Sequence, residues 1–423
     1  MGYLSRILDD TLADLLGGLP AVAIEGAKGV GKTETANRLA STVFELDRVA
    51  TKSDLADNPD LVLVGERPVL IDEWQLVPPV WDVVRRAVDR GAEPGSFILT
   101  GSADLPPGVR THSGAGRIVS LLMRPLSLPE RQIEATSVSL AALLAGEHGD
   151  VAGATAISPS DYVQEILASG FPAVRNAPQR FRRRLLDSYL EAIVTKDIPE
   201  AGGSVRRPVA LRNWLAAYGA ATATTAAYST VLDAATPGEA EGPSKPTAFA
   251  YRDLLSRVRV LEPLPAWIPG FAHLKRLTQA PKHHLVDPAL AARLVGASFE
   301  SLVGGRDEPA LPRDGTFLGA LFESLAVQTV RVLADACEAK VFHFRTLENR
   351  QEVDIIVQRP DLRVLAIEVK FSQQVRPADV VSLNWLEARV PDLVVDKVIL
   401  NTSERAYRRK DGVAVVPLAL LGR

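Results

Sequence analysis

The stretch Gly26-Ala27-Lys28-Gly29-Val30-Gly31-Lys32-Thr33 follows the apolar run Ala21–Ile24 and opens a helical pattern that continues toward Ala40. It has every fixed position of a phosphate loop, G-x-x-x-x-G-K-[ST], between a predicted strand and a predicted helix. The glycines Gly26, Gly29 and Gly31 let the backbone curl so that several N–H groups point at one anion, and the start of the helix adds positive potential. The stretch therefore predicts a nucleotide-binding α/β module.

Chemical roles follow from this loop and from the next acidic strand end. Lys32 is expected to reach the β- and γ-phosphates of ATP, and the Thr33 hydroxyl to bind Mg²⁺. The apolar run Pro68–Ile71 ends in Asp72 and Glu73. Asp72 is expected to hold the same Mg²⁺, and Glu73 to orient and deprotonate the attacking water. A solvated turn is the alternative interpretation of this acidic pair.

Two further positions are candidates for the same site. The run Phe97–Leu99 ends in the hydroxyl residues Thr100 and Ser102. Because ligands lie beyond the carboxyl ends of parallel strands, one of these hydroxyls is expected to face the γ-phosphate, although a plain turn fits equally well. Arg117 is a candidate to stabilise transition-state charge in the site of a neighbouring subunit, which implies a homo-oligomer. A solvated surface arginine is its alternative.

Composition limits the class of protein. The chain has 423 residues, of which 47% are apolar and 23% charged, and this predicts a globular protein of several domains. Its net charge of −3 argues against a wholly basic nucleic-acid coat. The single cysteine, Cys337, excludes an internal disulfide framework and fits a reducing, cytoplasmic setting. No secretory signal and no membrane-spanning stretch of about 18 apolar residues is predicted.

A second chemical site is predicted near the C-terminus. The segments 353–357 and 365–370 have the pattern of two antiparallel strands joined by a short turn. The register centred on that turn sets Asp354 opposite Glu368. It places Val353 and the other apolar side chains of odd-numbered positions on one face, and the two carboxylates on the other.

This pairing has a chemical consequence. Facing side chains lie about 5 Å apart, so Asp354 and Glu368 are near enough to share a Mg²⁺ or Mn²⁺ ion. Lys370 would stand beside that metal, where it can hold or polarise a phosphate and its attacking water. The alternative is an ion pair between Glu368 and Lys370 on a half-exposed strand, with Asp354 as an accidental neighbour.

Other basic residues are less specific. The adjacent His283 and His284 point to opposite faces of a strand, which favours a structural role for both. The cluster at 405–410 is interpreted as a solvated loop, with nucleic-acid contact as the alternative. The strand and loop that precede the predicted hairpin contain three candidates for phosphate contact: His343, Arg345 and Arg350.

The N-terminal motifs resemble a known family. The loop Gly26–Thr33, the run Leu70–Gln75 and the run Leu99–Ser102 occur in this order in AAA+-type ATPases of bacteria and archaea. Those ATPases carry a C-terminal domain of unknown function, DUF4143. The resemblance implies that ATP and Mg²⁺ are the cofactors.

The C-terminal pattern resembles the core of PD-(D/E)XK nucleases, in which an Asp is followed by a Glu-x-Lys segment. Asp354, Glu368 and Lys370 stand at these positions. By the same resemblance, Glu323 in the predicted helix 321–333 is a third acidic metal ligand. DNA is the partner that this resemblance implies.

Together these patterns predict an α/β protein of three regions. Residues 1–135 are a three-layer P-loop ATPase domain of the AAA+ type, 136–300 a helical, winged-helix-like middle, and 301–423 a restriction-endonuclease-like α/β domain. The Pro/Gly-rich insert 237–246 argues against base-specific reading by the middle region. The expected function is Mg²⁺-dependent ATP hydrolysis coupled to action of the nuclease-like domain on DNA. The alternative is an ATP-switched DNA- or protein-binding regulator with an inactive nuclease-like scaffold.

Overall fold

The computed structural model describes residues 2–102, 114–147, 149, 151–203, 205, 207–235, 245–269, 280–304, 315–346 and 351–423. Within these ranges, one sheet of five strands and one of seven strands flank a mostly helical middle. Most of the predicted insert 237–246 and the candidate Arg350 lie outside the described residues.

The five-stranded sheet positions the phosphate loop. Its strands run in the order β2-β3-β4-β1-β5, and all neighbouring pairs are parallel. The phosphate loop leaves the carboxyl end of β1, which lies between β4 and β5, and this confirms the predicted P-loop α/β module. The strand bounds are β1 Ala21–Glu25, β2 Thr42–Glu45, β3 Val69–Asp72, β4 Phe97–Gly101 and β5 Val119–Leu122.

Helices bury both faces of this sheet. On one face, Leu12 of α1 belongs to the same buried cluster as Val22 and Ile24. On the other face, Val84 of α4 packs in a second cluster with Ala23. Side chains alternate along β1, so its two faces pack in two different hydrophobic clusters. The helix bounds are α1 Ile7–Gly18, α2 Lys32–Asn37, α3 Val49–Asp57 and α4 Pro79–Asp89.

The middle region is helical. Between α8 and α9 the chain makes a π-helical turn, Ile193–Asp197. The helical patterns at 211–221, 226–235 and 249–258 predict three helices, and these are α10, α11 and α12. A winged-helix arrangement stays a prediction. The helix bounds are α5 Leu140–Ala145, α6 Pro159–Ala168, α7 Pro172–Arg175, α8 Gln179–Ala192, α9 Ile198–Glu200, α10 Pro208–Ala220, α11 Tyr228–Ala234, α12 Lys245–Arg257, α13 Pro288–Val295 and α14 Phe299–Val303.

The segment Ser158–Asp161 predicts a helix that is capped by Ser160 or Asp161, and this predicted start was wrong. Ser158 caps α6 instead: its hydroxyl accepts a hydrogen bond from the Asp161 N–H at 3.3 Å. The Asp161 carboxylate accepts one from the Ser158 N–H at 2.8 Å, which completes a capping box. Pro159 suits the first helical position because it has no N–H to satisfy there.

The seven-stranded sheet is mixed and has the order β7-β12-β13-β11-β10-β9-β8. Its edge strand β7, and β6, which pairs with β14, come from residues before 160. The sheets at this end of the protein therefore draw strands from both sides of the predicted boundary at residue 300. The strand bounds are β6 Val138–Ser139, β7 Gly153–Ala154, β8 Lys340–Arg345, β9 Glu352–Gln358, β10 Val364–Val369, β11 Val394–Asn401, β12 Arg405–Arg408, β13 Ala414–Pro417 and β14 Leu421–Gly422.

Two helices bury this sheet from opposite sides, α15 (Gly315–Asp335) and α16 (Val381–Arg389). Ile355 packs in the cluster that contains helix α15, whereas Val353 and Ile356 pack in the cluster that contains helix α16. The prediction that Val353 shares a face with Ile355 was therefore wrong. The reason is a register shift, since β9 has one residue more than β8 between their paired positions.

The basic cluster at 405–410 was also interpreted wrongly as a loop. Residues 405–408 form strand β12. Arg408 makes two hydrogen bonds to the Asp396 carboxylate, at 2.8 and 2.9 Å. Such a bidentate pair uses the guanidinium for the fold and leaves less of it for a phosphate.

Helix α15 is a weak candidate for a membrane span among the described residues. Its residues Phe317–Asp335 are long and apolar enough to cross a membrane, but 78% of the apolar window is buried inside the protein. Leu321 and Phe322 belong to the large cluster that also contains Leu12 and Trp214. This burial is what a core helix of a soluble protein shows.

Candidate functional site

The phosphate loop has the backbone that its glycines predict. The φ angles of Gly26, Gly29 and Gly31 are +153°, +78° and +107°. A Cβ on Gly26 would lie 2.2 Å from the carbonyl oxygen of Met123, the residue after β5. The loop can therefore pass this backbone only with glycine at that position.

Lys32 closes over the loop. Its Nζ donates hydrogen bonds to the carbonyl oxygens of Gly26, at 2.9 Å, and Ala27, at 3.0 Å. The side chain is only 4% exposed, and this burial lowers the pKa of the ammonium group despite the nearby carboxylates. An anion in the loop would receive this cation without a large movement of the backbone.

Thr33, Asp72 and Thr100 form one connected group. The Thr33 hydroxyl donates to both carboxylate oxygens of Asp72, at 2.9 and 3.1 Å, and the Thr100 hydroxyl donates to Oδ1. Burial raises the pKa of Asp72, while the two hydroxyls oppose that shift. A hydroxyl and a carboxylate side by side are the oxygen ligands that Mg²⁺ prefers, so these residues fit the predicted ion.

Glu73 is held next to this group. Its backbone has φ +54°, a left-handed conformation at the end of β3, and its N–H donates to the Thr100 hydroxyl at 3.3 Å. The Glu73 carboxylate accepts hydrogen bonds from the Ser102 hydroxyl, at 2.9 Å, and from the Gln75 amide. The structure thus brings both hydroxyl candidates, Thr100 and Ser102, to the two acidic residues.

A cation of the loop contacts the middle region. Lys28 Nζ lies 2.8 Å from Asp197 and 2.6 Å from Glu200, at and after the π-helical turn. The Tyr189 hydroxyl donates to the Lys28 carbonyl at 3.2 Å. A cavity of about 420 Å³ lies here, and its lining includes Lys28, Asp197 and Glu200 together with Glu73. Helical π-turns often occur at functional sites.

Arg117 lies elsewhere. Its Nε donates to Asp89, the last residue of α4, at 2.9 Å, and its side chain is 47% exposed. The contacts of Arg117 with described residues do not include the phosphate loop. A role in the site of a neighbouring subunit stays a prediction.

The hairpin register near the C-terminus was predicted correctly. Leu365 pairs with Val357 and Ile367 with Ile355. The next residues along the two strands are Glu368 and Asp354, which the register of these pairs brings to the same end of the hairpin. The Val369 N–H donates to Asp354 Oδ2 at 2.9 Å, which fixes this carboxylate at the end of the hairpin.

Lys282 lies among the carboxylates of this site. Its Nζ is 2.8 Å from Glu323, 2.7 Å from Glu352 and 2.9 Å from Asp354. The lysine side chain is only 2% exposed. Burial opposes its charge, but the carboxylates outweigh burial and hold the pKa of Lys282 well above its usual value. The structure therefore brings Glu323 to Asp354 as predicted, with an ammonium group between them.

The remaining predicted residues lie at the same end of the hairpin. Lys370 Nζ is 2.6 Å from Glu368 Oε1. Burial and the charge of Asp354 raise the pKa of Glu368 to about 8, and burial raises that of Glu323 to about 8. Among the described residues, no group of three or more His, Cys, Asp or Glu side chains is arranged to hold a metal ion.

The histidines are part of the core. His283 Nε2 lies 2.7 Å from the Ala226 carbonyl, and His284 Nδ1 lies 3.2 Å from the Ser324 hydroxyl. The predicted phosphate contact of His343 was wrong, because this residue is 1% exposed and its Nε2 lies 3.1 Å from the Ala280 carbonyl. Burial of a neutral ring between protein groups leaves no path to a phosphate backbone.

Three families match parts of the chain. Residues 19–132 match an AAA domain, residues 159–301 a domain of unknown function, DUF8612, and residues 318–421 a domain of unknown function, DUF4143. The AAA match contains the phosphate loop, Asp72, Glu73 and Thr100. The DUF4143 match contains Glu323 and the hairpin, whereas Lys282 falls within the DUF8612 match.

Similar proteins are known from mycobacteria. Uncharacterised proteins of Mycobacterium tuberculosis and Mycobacterium bovis are each 26% identical over 408 residues, which is 94% of this chain and 80% of theirs. A Walker-type ATPase of Pyrococcus abyssi is similar in structure, with 14% identity, a TM-score of 0.42 and coverage of 69% of this chain and 96% of that one.

The geometry and the AAA match together define the N-terminal class. A glycine loop after the central strand, a lysine folded over it, and a threonine bonded to an aspartate at the next strand end are the parts of a P-loop ATPase. Residues 19–132 therefore form a P-loop ATPase module.

Sequence reasoning missed several residues of these sites. Gln75 and Lys28 stand within the quoted motifs, but their partners depend on the fold. Lys282 follows Pro281 in a segment whose residues predict no contact with the acidic hairpin. No signal in the sequence could have found Lys282, because only the fold brings it close to the acidic residues of the hairpin.

Proposed function

We propose that this chain hydrolyses ATP with Mg²⁺ at the phosphate loop, and that hydrolysis controls the C-terminal carboxylate–lysine cluster in its action on DNA. The proposed ATP hydrolysis is supported by the hydrogen bonds that Thr33 and Thr100 donate to Asp72, near the carboxyl ends of β3 and β4. These bonds gather the ion-binding oxygens beside the loop that binds phosphate.

Each residue then has a defined task. Backbone N–H groups of the loop and Lys32 bind the β- and γ-phosphates. Thr33 and Asp72 hold Mg²⁺, which neutralises phosphate charge when bound. Glu73 orients the attacking water and accepts its proton, with Ser102 fixing the carboxylate.

Phosphate release from Mg²⁺-ATP tests the ATPase. Lys32→Ala is expected to lower turnover by at least about 100-fold, because it removes a cation aimed at developing phosphate charge. The exposed Lys52 on α3 supplies the matched control, since Lys52→Ala removes the same charge away from the loop. Turnover that survives in Lys32→Ala would refute this site.

The contact between Lys28 and the middle region suggests how ATP is coupled to the rest of the chain. The γ-phosphate must lie near both Lys32 and Glu73, and the cavity beside Glu73 is also lined by Asp197 and Glu200. A phosphate there attracts Lys28 and repels the two carboxylates. ATP binding is therefore expected to weaken the contact that joins the loop to the π-helical turn.

Two activities are candidates for the C-terminal cluster. The grouping of Asp354, Glu368 and Lys370 supports metal-dependent DNA cleavage, with Mg²⁺ or Mn²⁺ as the ion. The position of Lys282 between Glu323 and Asp354 favours the second candidate, an ATP-switched regulator that binds DNA or a protein and cuts nothing.

A nuclease assay separates these candidates. The protein is incubated with plasmid or single-stranded DNA, ATP, and Mg²⁺ or Mn²⁺, beside Asp354→Ala, Lys370→Ala and the exposed turn variant Asp361→Ala. Cleavage lost in the first two variants and retained in the third supports the nuclease. ATP-dependent DNA binding without cleavage supports the regulator.

A further inference from the structure

Lys282 reaches the C-terminal cluster from a separate segment of the chain. Its backbone exchanges hydrogen bonds with Leu264: the Lys282 N–H donates to the Leu264 carbonyl at 2.9 Å, and the Leu264 N–H donates to the Lys282 carbonyl at 2.8 Å. This bridge lies in the DUF8612 match, outside the DUF4143 match that holds the hairpin. The cluster is therefore completed by a residue of the neighbouring region.

Three carboxylates surround the ammonium group. Its Nζ donates hydrogen bonds to Glu323, at 2.8 Å, and Asp354, at 2.9 Å, and forms an ion pair with Glu352 at 2.7 Å. These carboxylates belong to α15 and β9, so the ammonium ties a helix to a strand. It also takes the oxygens that a divalent cation would need at about 2.0–2.6 Å.

A metal ion and this ammonium cannot share the cluster. Two cations within a few ångströms of each other in a buried site repel strongly, because little solvent screens them. The predicted ligands Glu323 and Asp354 offer the kind of oxygen that a divalent cation prefers, but Lys282 lies between them. The predicted metal and the observed arrangement disagree.

The cluster also contains a carboxylate that is only partly paired. Among the described residues it holds Glu323, Glu352, Asp354 and Glu368 beside Lys282 and Lys370, and since the pKa values of Glu323 and Glu368 are raised to about 8, the carboxylates do not exceed the two lysines in charge at neutral pH. Oε2 of Glu368 is buried and has no hydrogen-bond partner within the described part of the chain. A buried carboxylate oxygen without a partner is costly, and it marks a place for a further cation.

We propose that Lys282 is an internal cation that fills the metal position and keeps the C-terminal cluster closed to divalent ions. Glu323 and Asp354 would be open to Mg²⁺ or Mn²⁺ only without the Lys282 ammonium between them. This inference rests on the proposed control of the C-terminal cluster by the rest of the chain. It assigns this control to the side chain of Lys282, whose single positive charge occupies the place that the double charge of a divalent cation would take.

The test measures Mn²⁺ binding by electron paramagnetic resonance, in full-length protein without nucleotide. All proteins carry Asp72→Asn, so that the Mg²⁺ position of the phosphate loop does not contribute. Lys282→Met removes the charge and keeps the length of the side chain, and it is expected to gain one Mn²⁺ site at least tenfold tighter than any in the parent. Lys282→Arg keeps the charge and is expected to gain none.

A further substitution locates the new site. Asp354→Asn added to Lys282→Met is expected to remove the Mn²⁺ that Lys282→Met gained. A folded Lys282→Met variant that binds no more Mn²⁺ than its parent would overturn the proposal. Circular dichroism verifies the fold of each variant, because loss of the ammonium leaves the buried Asp354 and its neighbour Glu323 without this partner.

The parent protein gives an independent test if Lys282→Met does not fold. A cluster closed by Lys282 binds no Mn²⁺, so Asp354→Asn alone is expected to leave the number of bound ions unchanged. Loss of one bound ion in Asp354→Asn would overturn the proposal. Neither result depends on phosphate release, so failure of the ATPase and failure of this inference are read from different measurements.

Discussion

The contact of Lys28 with Asp197 and Glu200 predicts a measurable effect on ATP affinity. ATP has to bind while two carboxylates face the cavity beside Glu73, and it has to draw Lys28 away from them. The double variant Asp197→Asn, Glu200→Gln removes both carboxylate charges and keeps the shapes of the side chains. It is therefore expected to bind ATP more tightly than the wild type.

The magnitude follows from the exposure of the three side chains. Lys28 is 38% exposed and Glu200 57% exposed, so their pair is screened by water and is worth a few tenths of a kcal/mol. Asp197 is 10% exposed, and its pair with Lys28 is worth about 1 kcal/mol. Release from both pairs is worth about 1.4 kcal/mol, which corresponds to about tenfold in the dissociation constant.

Isothermal titration with a non-hydrolysable ATP analogue and with ADP is the assay. ADP lacks the γ-phosphate and does not need Lys28, so its affinity is expected to change by much less than that of the analogue. Lys28→Met is the matched variant, since it removes the cation for which the γ-phosphate competes with the carboxylates of Asp197 and Glu200. Unchanged affinity for the ATP analogue, or an equal gain for ADP, would refute the competition.

Three further results are expected. Gly26→Ala places a Cβ 2.2 Å from the Met123 carbonyl oxygen and should abolish ATP binding, measured by calorimetric titration. Gly17→Ala, whose Cβ would have no atom within 4 Å, should bind ATP normally, and equal binding by the two variants would contradict the loop geometry. Asp287→Ala leaves the N–H groups of Gly170 and Ala289 without their acceptor, and should lower the free energy of unfolding in urea by about 3 kcal/mol, with a smaller loss in Asp287→Asn. Burial lowers the pKa of His343 to about 4, below its unfolded value of about 6.5, so the unfolded chain binds an extra proton between these pH values. Stability should fall by up to about 3 kcal/mol as the pH drops from 6.5 to 4, and a stability–pH curve that does not flatten in His343→Asn would speak against this role.

Local chemistry made much of the ATPase module predictable. The phosphate loop needs glycine at Gly26 and Gly31 and a lysine and hydroxyl at fixed spacing, and these requirements are written in consecutive residues. Strand ends such as Asp72 and Thr100 could be placed together because parallel strands end at one edge of the sheet. The hairpin register that pairs Ile355 with Ile367 was predictable for a similar reason, since turn geometry and alternation fix it.

The same reasoning failed where the structure departs from regular alternation. The additional residue in β9 moved Val353 to the other face of the sheet, and sequence gives no signal of such a shift when both faces are apolar. Strand β12 was hidden because its arginine, Arg408, pairs with a buried aspartate, Asp396, 12 residues earlier. A basic run that forms internal ion pairs cannot be distinguished by composition from one that is solvated.

The sequence by itself determined which residues can bind phosphate and where the acidic hairpin lies, because both depend on short-range geometry along the chain. The tertiary structure alone decided what these residues contact. Asp197 reaches Lys28 across 169 positions of the chain, and Lys282 reaches Asp354 across 72. Ion pairs of this kind depend on how whole elements pack, so no local pattern records that Lys282 fills the place where a metal ion was expected.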